Sequence, residues 1–350
     1  MIPYKTIKVN ASVAYDIVLG CGISQKIVEM LKKVLDDCRL AILTDDKVDG
    51  LYGSEIENLL NKGGYDTVKF VIPNGEESKN STNLMAFINF MAEHQLTRKD
   101  AVLALGGGVV GDMAGFAAAV YLRGIKFVQI PTTLLAAVDS SVGGKTAIDI
   151  TAGKNLMGAF HQPSLVCCDT DLLKSLDTDV LRDGYAEVIK YGVIADKILF
   201  YTLQNQNKDI NPIVARCVEI KRDIVEADEF DVGQRQLLNF GHTIGHAIEL
   251  LSNFSITHGC AVAKGMLIAA RMGVALGMKD CTTEIKTLLE LYGFDLSCPY
   301  SADDIYEAAL NDKKRSGGNI TLVIPEQIGK CVLHKMPCEA LLKLLKEIEL

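Results

Sequence analysis

The chain has 350 residues, of which 49% are hydrophobic and none is tryptophan, and its formal net charge is −8. That length predicts two domains with cores large enough to need no disulfide staples, and the acidic balance argues against a nucleic-acid-binding surface. No apolar run reaches membrane-spanning length. Ten scattered cysteines without a C-x-x-C pair, in a chain that opens without a signal-peptide pattern, predict free thiols in the cytoplasm.

In chain order, strand-like runs fall at Tyr15–Leu19, Leu40–Leu43, Val68–Ile72, Ala101–Leu105, Phe127–Ile130 and Leu165–Cys168. Helical patterns lie between several of them, at Ser24–Leu35, Ser54–Lys62, Thr82–Glu93 and Val110–Val120. Strands alternating with helices predict an α/β domain with a mainly parallel, Rossmann-like sheet covered on both faces. Beyond about residue 174 the periodicity turns helical, at Val180–Val193, Pro212–Asp228, Arg235–Leu251, Ala261–Leu276, Thr282–Leu291 and Ala302–Ala309. One strand-like pair, Ile320–Ile324 and Gly329–Leu333, precedes a last helix, Cys338–Glu349. The reading is therefore an α/β domain over 1–174 and a mostly α-helical domain over 175–350.

Half of the six histidines cluster in NFGHTIGHAIELLSNFSITHG. His242 and His246 are i and i+4 on one predicted helical face, and His258 follows a polar loop. Imidazoles at this density point to a metal or to proton transfer. By analogy with H-x-x-x-H zinc helices, local spacing favours the His242/His246 pair as ligands, completed by a carboxylate that spacing alone does not select. Asn239 sits three residues before His242, on the face expected to carry His246. Glu187 and Lys190, i and i+3 in AEVIKYG, read locally as an ion pair on a helix face.

Two further segments suit anionic ligands. AVLALGGGVVGDMAGF reads as strand, glycine turn and helix start, and Gly106, Gly108 and Gly111 satisfy G-x-G-x-x-G, which lets a backbone approach a pyrophosphate. No acidic residue follows at the usual distance to hold a ribose; the nearest strand-end acids are Asp45 and Asp46, upstream. In PTTLLAAVDSSVGGKTAIDITAGKN, Thr132 and Thr133 follow a strand, and Lys145 and Lys154 are placed on glycine-flanked loops suited to anions. The turn-rich PNGEESK adds Glu76 and Lys79.

Taken in order, GGGVVGDMAGFAAAVYLRGI, QIPTTLLAAVDSSVGGKTAID, GKNLMGAF, YAEVIKYG, LLNFGHTIGHAIE, HGCAVAKGM and the DKK at 312–314 resemble the 3-dehydroquinate synthases over nearly the whole chain. The resemblance implies an NAD- and Zn2+-dependent lyase, with Co2+ as an alternative metal. It would convert 3-deoxy-D-arabino-heptulosonate 7-phosphate to 3-dehydroquinate and phosphate, the second step of the shikimate pathway to chorismate and the aromatic amino acids. The implied course is transient oxidation by NAD, phosphate elimination, reduction, ring opening and aldol closure. Carried over by motif, the metal ligands fall on Glu187, His242 and His258, leaving His246 as a polar group near the substrate. Substrate recognition falls on Arg123, Lys145, Asn155, Lys190, Lys221, Arg235, Asn239 and one of Lys313 or Lys314. NAD contacts fall on Asn74, Gly75, Glu76 and Lys79, on Gly107, Gly108, Val109, Val110, Gly111 and Asp112, and on Thr132, Thr133, Asp139, Lys145, Lys154 and Asp45, with Asp46 competing for the ribose.

The resemblance also implies a cytoplasmic homodimer with a small sugar phosphate as its partner, and no nucleic acid or membrane. Two neighbouring readings are a sister cyclase of the deoxyinosose or valiolone type and a metal-dependent polyol dehydrogenase. The VGGK loop and Asn239 read like the dehydroquinate enzymes rather than their sisters. A dehydrogenase would leave Lys145, Lys154, Lys190 and Lys221 without an anion to bind.

Overall fold

Continuous apolar runs in the first half become strands because both of their faces are buried. The computed structural model describes residues 4–206, 209–313 and 318–350. In chain order its regular elements begin with β1 Tyr4–Val9, β2 Tyr15–Gly20, α1 Ile27–Leu31, β3 Arg39–Asp45, the single turn α2 Asp46–Val48, α3 Ser54–Lys62 and β4 Asp66–Ile72. There follow α4 Ser81–Glu93, β5 Ala101–Gly106, α5 Gly108–Val120, β6 Lys126–Pro131, β7 Lys145–Ile150, β8 Gly153–Phe160 and β9 Leu165–Asp169. The second half holds α6 Thr178–Ala195, α7 Lys197–Leu203, α8 Asn211–Ala227, α9 His242–Leu251, α10 His258–Ala275, α11 Thr282–Leu291, α12 Ala302–Lys313, β10 Asn319–Gln327, β11 Lys330–Pro337 and α13 Cys338–Lys346.

The chain divides into two units: Met1–Asp177 with Cys217–Phe230, and Thr178–Arg216 with Asp231–Leu350. The first contains a seven-stranded sheet in the order β1-β2-β9-β6-β5-β3-β4. Only β1 runs antiparallel, against β2 at the sheet edge. Alternation along β3 shows how the sheet is covered. Leu40 and Ile42 pack with Ile27, Leu31, Ile56 and Leu60 on one face, while Ala41 and Leu43 pack with Phe87, Met91, Met113 and Phe116 on the other. The segment Cys217–Phe230 belongs to this unit through polar contacts: Lys5 pairs with Glu219, the Asn10 backbone N–H donates to Glu226, and Ser12 and Gln162 donate to Glu229.

In the second unit, α9, α10, α12 and α13 close a core with β10 and β11, which form an antiparallel pair. Among the described residues no helix is long and apolar enough to cross a membrane, and all ten cysteines are free thiols.

Three local expectations change. The expected helix Ser24–Leu35 is a 3-10 turn, Ile23–Lys26, followed by only the short α1. Lys145 and Lys154 lie on an antiparallel hairpin, β7 with β8, rather than on loops; of the glycines that suggested loops, Gly143 and Gly144 form a turn before β7, with φ of 93° and 68°, and Gly153 opens β8, inside which a side chain at Gly158 would strike the Thr146 carbonyl. The expected helix Arg235–Leu251 is broken: Gln234–Asn239 is a 3-10 turn and Gly241 adopts φ +80° before α9 starts at His242. Asn239 and His242 therefore do not share a helical face.

Candidate metal centre and dinucleotide site

Chain order places β4 and β5 on opposite sides of β3. In an open parallel sheet, the carboxyl ends of strands at such a reversal form the crevice where ligands bind. The predicted NAD residues converge here. Asp45 ends β3 and is buried, its carboxylate accepting from the Val48 N–H as the cap of α2. Asp46 accepts from the Asn74 N–H at 3.0 Å, tying the end of β3 to the turn after β4, in which Gly75 takes φ +118°. Glu76 opens a 3-10 turn, and Lys154 on β8 approaches it at 3.9 Å.

Gly107 caps α5, and Gly108, Val109, Val110, Gly111 and Asp112 form its first turn. Space is tight at two of the glycines: a Cβ on Gly107 would lie 2.9 Å from Thr133, and one on Gly111 would lie 2.7 Å from the Gln129 amide oxygen, which would have to move aside. The Thr132 N–H donates to the Gly106 carbonyl at 3.0 Å, which joins the β6 end to the β5 turn. Among the described residues the buried Thr132 hydroxyl has no hydrogen-bond partner. A lone buried hydroxyl beside a glycine turn and a helix N-terminus fits the polar part of a dinucleotide.

Beside this turn, buried Lys79 donates to Asp112 and to Asn155, each at 2.6 Å. Burial alone would push the Lys79 ammonium down, but the charges of Asp112, Glu76 and Asp149 outweigh it and raise it. Burial pushes the Asp112 carboxyl up against the opposing pull of Lys79. Asn155 sits at φ +54°, its backbone N–H donating to Asp149. Thr133 accepts from the Ala136 N–H, and Lys221 pairs with Asp139 through both its carboxylate and its carbonyl. Lys145 is exposed at the start of β7. Arg123 is not brought to this group: it lies past the far end of α5, a helix about 20 Å long at 1.5 Å per residue.

In the second unit, α6, α9 and α10 bring Glu187, His242 and His258 together, with one ligand atom from each within 4.8 Å of the others. Glu187 Oε1 lies 3.5 Å from His242 Nε2 and 3.7 Å from His258 Nε2; the three side chains are 1%, 13% and 32% exposed. Glycine makes this convergence possible. A Cβ on Gly265 of α10 would strike the Gly241 carbonyl and the Gly245 N–H, and one on Gly245 would lie 3.1 Å from the Ala261 carbonyl. The two helices can therefore approach closely enough to bring the rings of His242, His246 and His258 to centroid separations of 5.3 to 5.9 Å.

The rings of His242 and His258 each face a further partner at the other nitrogen. His242 Nδ1 lies 3.1 Å from the Phe240 carbonyl, and His258 Nδ1 3.4 Å from Glu249 Oε2. Burial pushes His242 down to about 3, leaving it a neutral imidazole. Burial also opposes charge on His258, yet hydrogen bonds with Glu187 and Glu249 bring it up to about 10. The carboxylates thus create a site that attracts positive charge, and the donor set of one carboxylate and two imidazoles suits a divalent ion such as zinc.

Lys190 is buried and ion-paired with Glu187 Oε2. Arg235 is buried in the 3-10 turn, and Asn239 is exposed. His246 is exposed and joins Glu249 and His258 in a second candidate group. Among the described residues, no candidate group contains both His242 and His246, contrary to the local reading of the helical pair. Glu187, on α6, approaches His242 and His258 instead. The side chain of Lys313, at the end of α12, and all of Lys314 lie outside the described residues. Sequence reasoning passed over Glu249, although its spacing, i+3 from His246 and i+7 from His242, puts it on their helical face.

Over its whole length the fold is that of the sugar-phosphate cyclases. It is similar to 2-deoxy-scyllo-inosose synthase, solved with carbaglucose-6-phosphate, NAD+ and Co2+, at TM-score 0.86 and 24% identity over 99% of this chain and 100% of that one. It is equally similar, at TM-score 0.86 and 26% identity, to 2-epi-5-epi-valiolone synthase from Streptomyces hygroscopicus with NAD+ and Zn2+ bound, over 97% of this chain and 99% of that one. Residues 69–183 match the family described as 3-dehydroquinate synthase N-terminal, and residues 184–315 its C-terminal counterpart. The 3-dehydroquinate synthase of Clostridium acetobutylicum is 43% identical over 96% of this chain and 97% of its own. The chain belongs to the 3-dehydroquinate synthase family.

Proposed function

We propose that the chain catalyses the reaction of its family, the conversion of 3-deoxy-D-arabino-heptulosonate 7-phosphate to 3-dehydroquinate and phosphate. The observation that carries this reading is the convergence of Glu187, His242 and His258 in a chain 43% identical to a 3-dehydroquinate synthase. When bound, NAD supplies a transient oxidation and the divalent ion supplies Lewis acidity. Glu187, His242 and His258 would hold the ion. The glycine turn before α5, Thr132, Lys79 and the Asp45–Asp46 strand end would hold NAD.

The remaining residues act as anion and proton partners. Arg235 offers a planar fork for a carboxylate or phosphate, and Lys145, Lys190 and Lys221 offer point charges. Asp139 and Glu187 pair with Lys221 and Lys190 within the protein. His246, exposed beside the other two rings, is placed to carry a proton. Asn155 and Asn239 add neutral hydrogen bonds, while Arg123, past the far end of α5, and one of Lys313 or Lys314 are carried over by motif alone.

The reading extends to a cytoplasmic homodimer, whose stoichiometry sedimentation would measure. The decisive test gives the purified protein the heptulosonate phosphate, NAD and zinc, and follows phosphate release. Release is expected. Its absence, with NADH accumulating on glycerol, would establish a dehydrogenase instead, and turnover of glucose 6-phosphate would point to a deoxyinosose-type cyclase.

A further inference from the structure

His258 is the first residue of α10, where side chains are weakly constrained by their own helix. Its backbone is fixed from α6. Asp183 accepts from the Thr257 hydroxyl at 2.6 Å and from the Cys260 N–H at 3.2 Å. A side chain at Gly259 would collide with the Asp183 backbone, so the start of α10 is seated directly on α6, one turn before Glu187. These contacts set where the His258 Cα lies. They leave the rotation of its ring undetermined.

Glu249 supplies that constraint. It is 3% exposed, too buried for a carboxylate without a specific role, and its Oε2 faces His258 Nδ1 at 3.4 Å while Nε2 of the same ring faces Glu187. We infer that Glu249 is a positioning residue: it accepts the Nδ1–H of His258, fixes the tautomer and aims Nε2 at the ion that Glu187 and His242 also hold. It touches neither ion nor substrate. The inference rests on the ligand set proposed above.

The geometry also states the competing arrangement, since His246, Glu249 and His258 can themselves bring ligand atoms within 4.8 Å. In that arrangement Glu249 binds the ion directly. Zinc affinity, measured on the full chain by competition with a chromophoric chelator, separates the two when read beside the visible spectrum of the Co2+-loaded protein. Glu249→Leu removes the acceptor at similar volume, and should bind one ion per chain about 10- to 100-fold more weakly, with an altered Co2+ spectrum. Glu249→Gln keeps an acceptor without the charge and should fall between it and the parent. Parent affinity and spectrum in both variants would overturn the inference. So would a metal-free Glu249→Gln matching His258→Ala, which would make Glu249 a ligand. If Glu249→Leu fails to fold, Glu249→Gln alone decides, by whether affinity or spectrum moves. Full metal retention in both Glu187→Gln and His242→Ala would instead sink the ligand set itself.

Discussion

The two units build their polar sites by opposite means. In the first, the framework is backbone: strand ends at a reversal of sheet order, a glycine turn, and the N-terminus of α5. Side chains there mostly serve the framework, as Asp45 does in capping α2 and Asp46 in tying down Asn74. In the second, the site is side chains on three helices, and glycine acts indirectly by letting α9 and α10 approach. A site made of backbone should degrade gradually under substitution. A site made of three ligands should fail when one is lost.

The largest expected effect tests the second half of that contrast. Glu187→Gln and His242→Ala should each lose bound zinc and at least about 10³-fold in turnover, the several kcal/mol that a Lewis acid supplies. NAD affinity should stay within about twofold, since one broken hydrogen bond is worth more than that. His246→Ala should keep its zinc and lose about 10²- to 10⁴-fold in turnover. Metal analysis, phosphate release and NAD titration measure the three quantities, and a metal-free His246→Ala would put the ligand assignment in error.

Next in size is the Lys79–Asp112 pair of the first unit, 5% and 18% exposed. Lys79→Met strands Asp112 in a buried place and should cost about 3–5 kcal/mol in urea unfolding, most of it recovered by adding Asp112→Leu. The penalty should depend on pH. A carboxyl whose folded pKa is raised, as burial raises Asp112, contributes stability below its unfolded pKa and loses it as pH rises through the folded one. The Lys79→Met penalty should therefore be larger at pH 8 than at pH 4, and a flat profile would show that Asp112 is solvated after all.

What the sequence disclosed follows the same division. All six strands expected in the first half formed, as β2, β3, β4, β5, β6 and β9, and the expected pair near the end formed as β10 and β11, because period and burial are local properties of each run. β1 was missed: its burial alternates in only its second half, and its place depends on pairing with β2. The β7–β8 hairpin was missed because Gly143, Gly144 and Gly153 read as loop residues, while only the pairing of the two strands shows that they mark a turn before β7 and the start of β8. At the metal centre, the histidine cluster was visible from spacing. The grouping of His242 and His258 with Glu187 was not, because Glu187 lies on a separate helix, and the family resemblance rather than periodicity pointed to it. The broken segment before α9 was missed because nothing local marks Gly241 as a stop: its conformation is set by α10, with Val262 and Met266 leaving no room for a Cβ.

Gly265 tests whether that helix approach matters to the metal. Gly265→Ala places a methyl against the backbone of Gly241 and Gly245, and should cost about 1–3 kcal/mol as overpacking. Zinc affinity should fall with it, because the strain displaces His242 and His258 relative to each other. A variant that loses stability and binds zinc as before would show that the rings tolerate the shift and that the close approach serves the core alone.

The smallest expected effect lies in the backbone-built site and separates binding from folding. Thr132 is 2% exposed, and its hydroxyl has no partner among the described residues. A buried hydroxyl without a hydrogen bond costs about 1–3 kcal/mol in protein mutational data, so Thr132→Val, which keeps the shape and removes the oxygen, should leave stability unchanged or raise it by about 1 kcal/mol. If the hydroxyl is kept for NAD, the same variant should weaken NAD binding about 5- to 10-fold, the worth of one hydrogen bond. The two changes have opposite signs, which a general loss of structure cannot produce. Thermal unfolding without cofactor and fluorescence titration with NAD read them separately. Lost stability with unaltered NAD affinity would mean that the hydroxyl serves the fold, and that this part of the cofactor site has been misplaced.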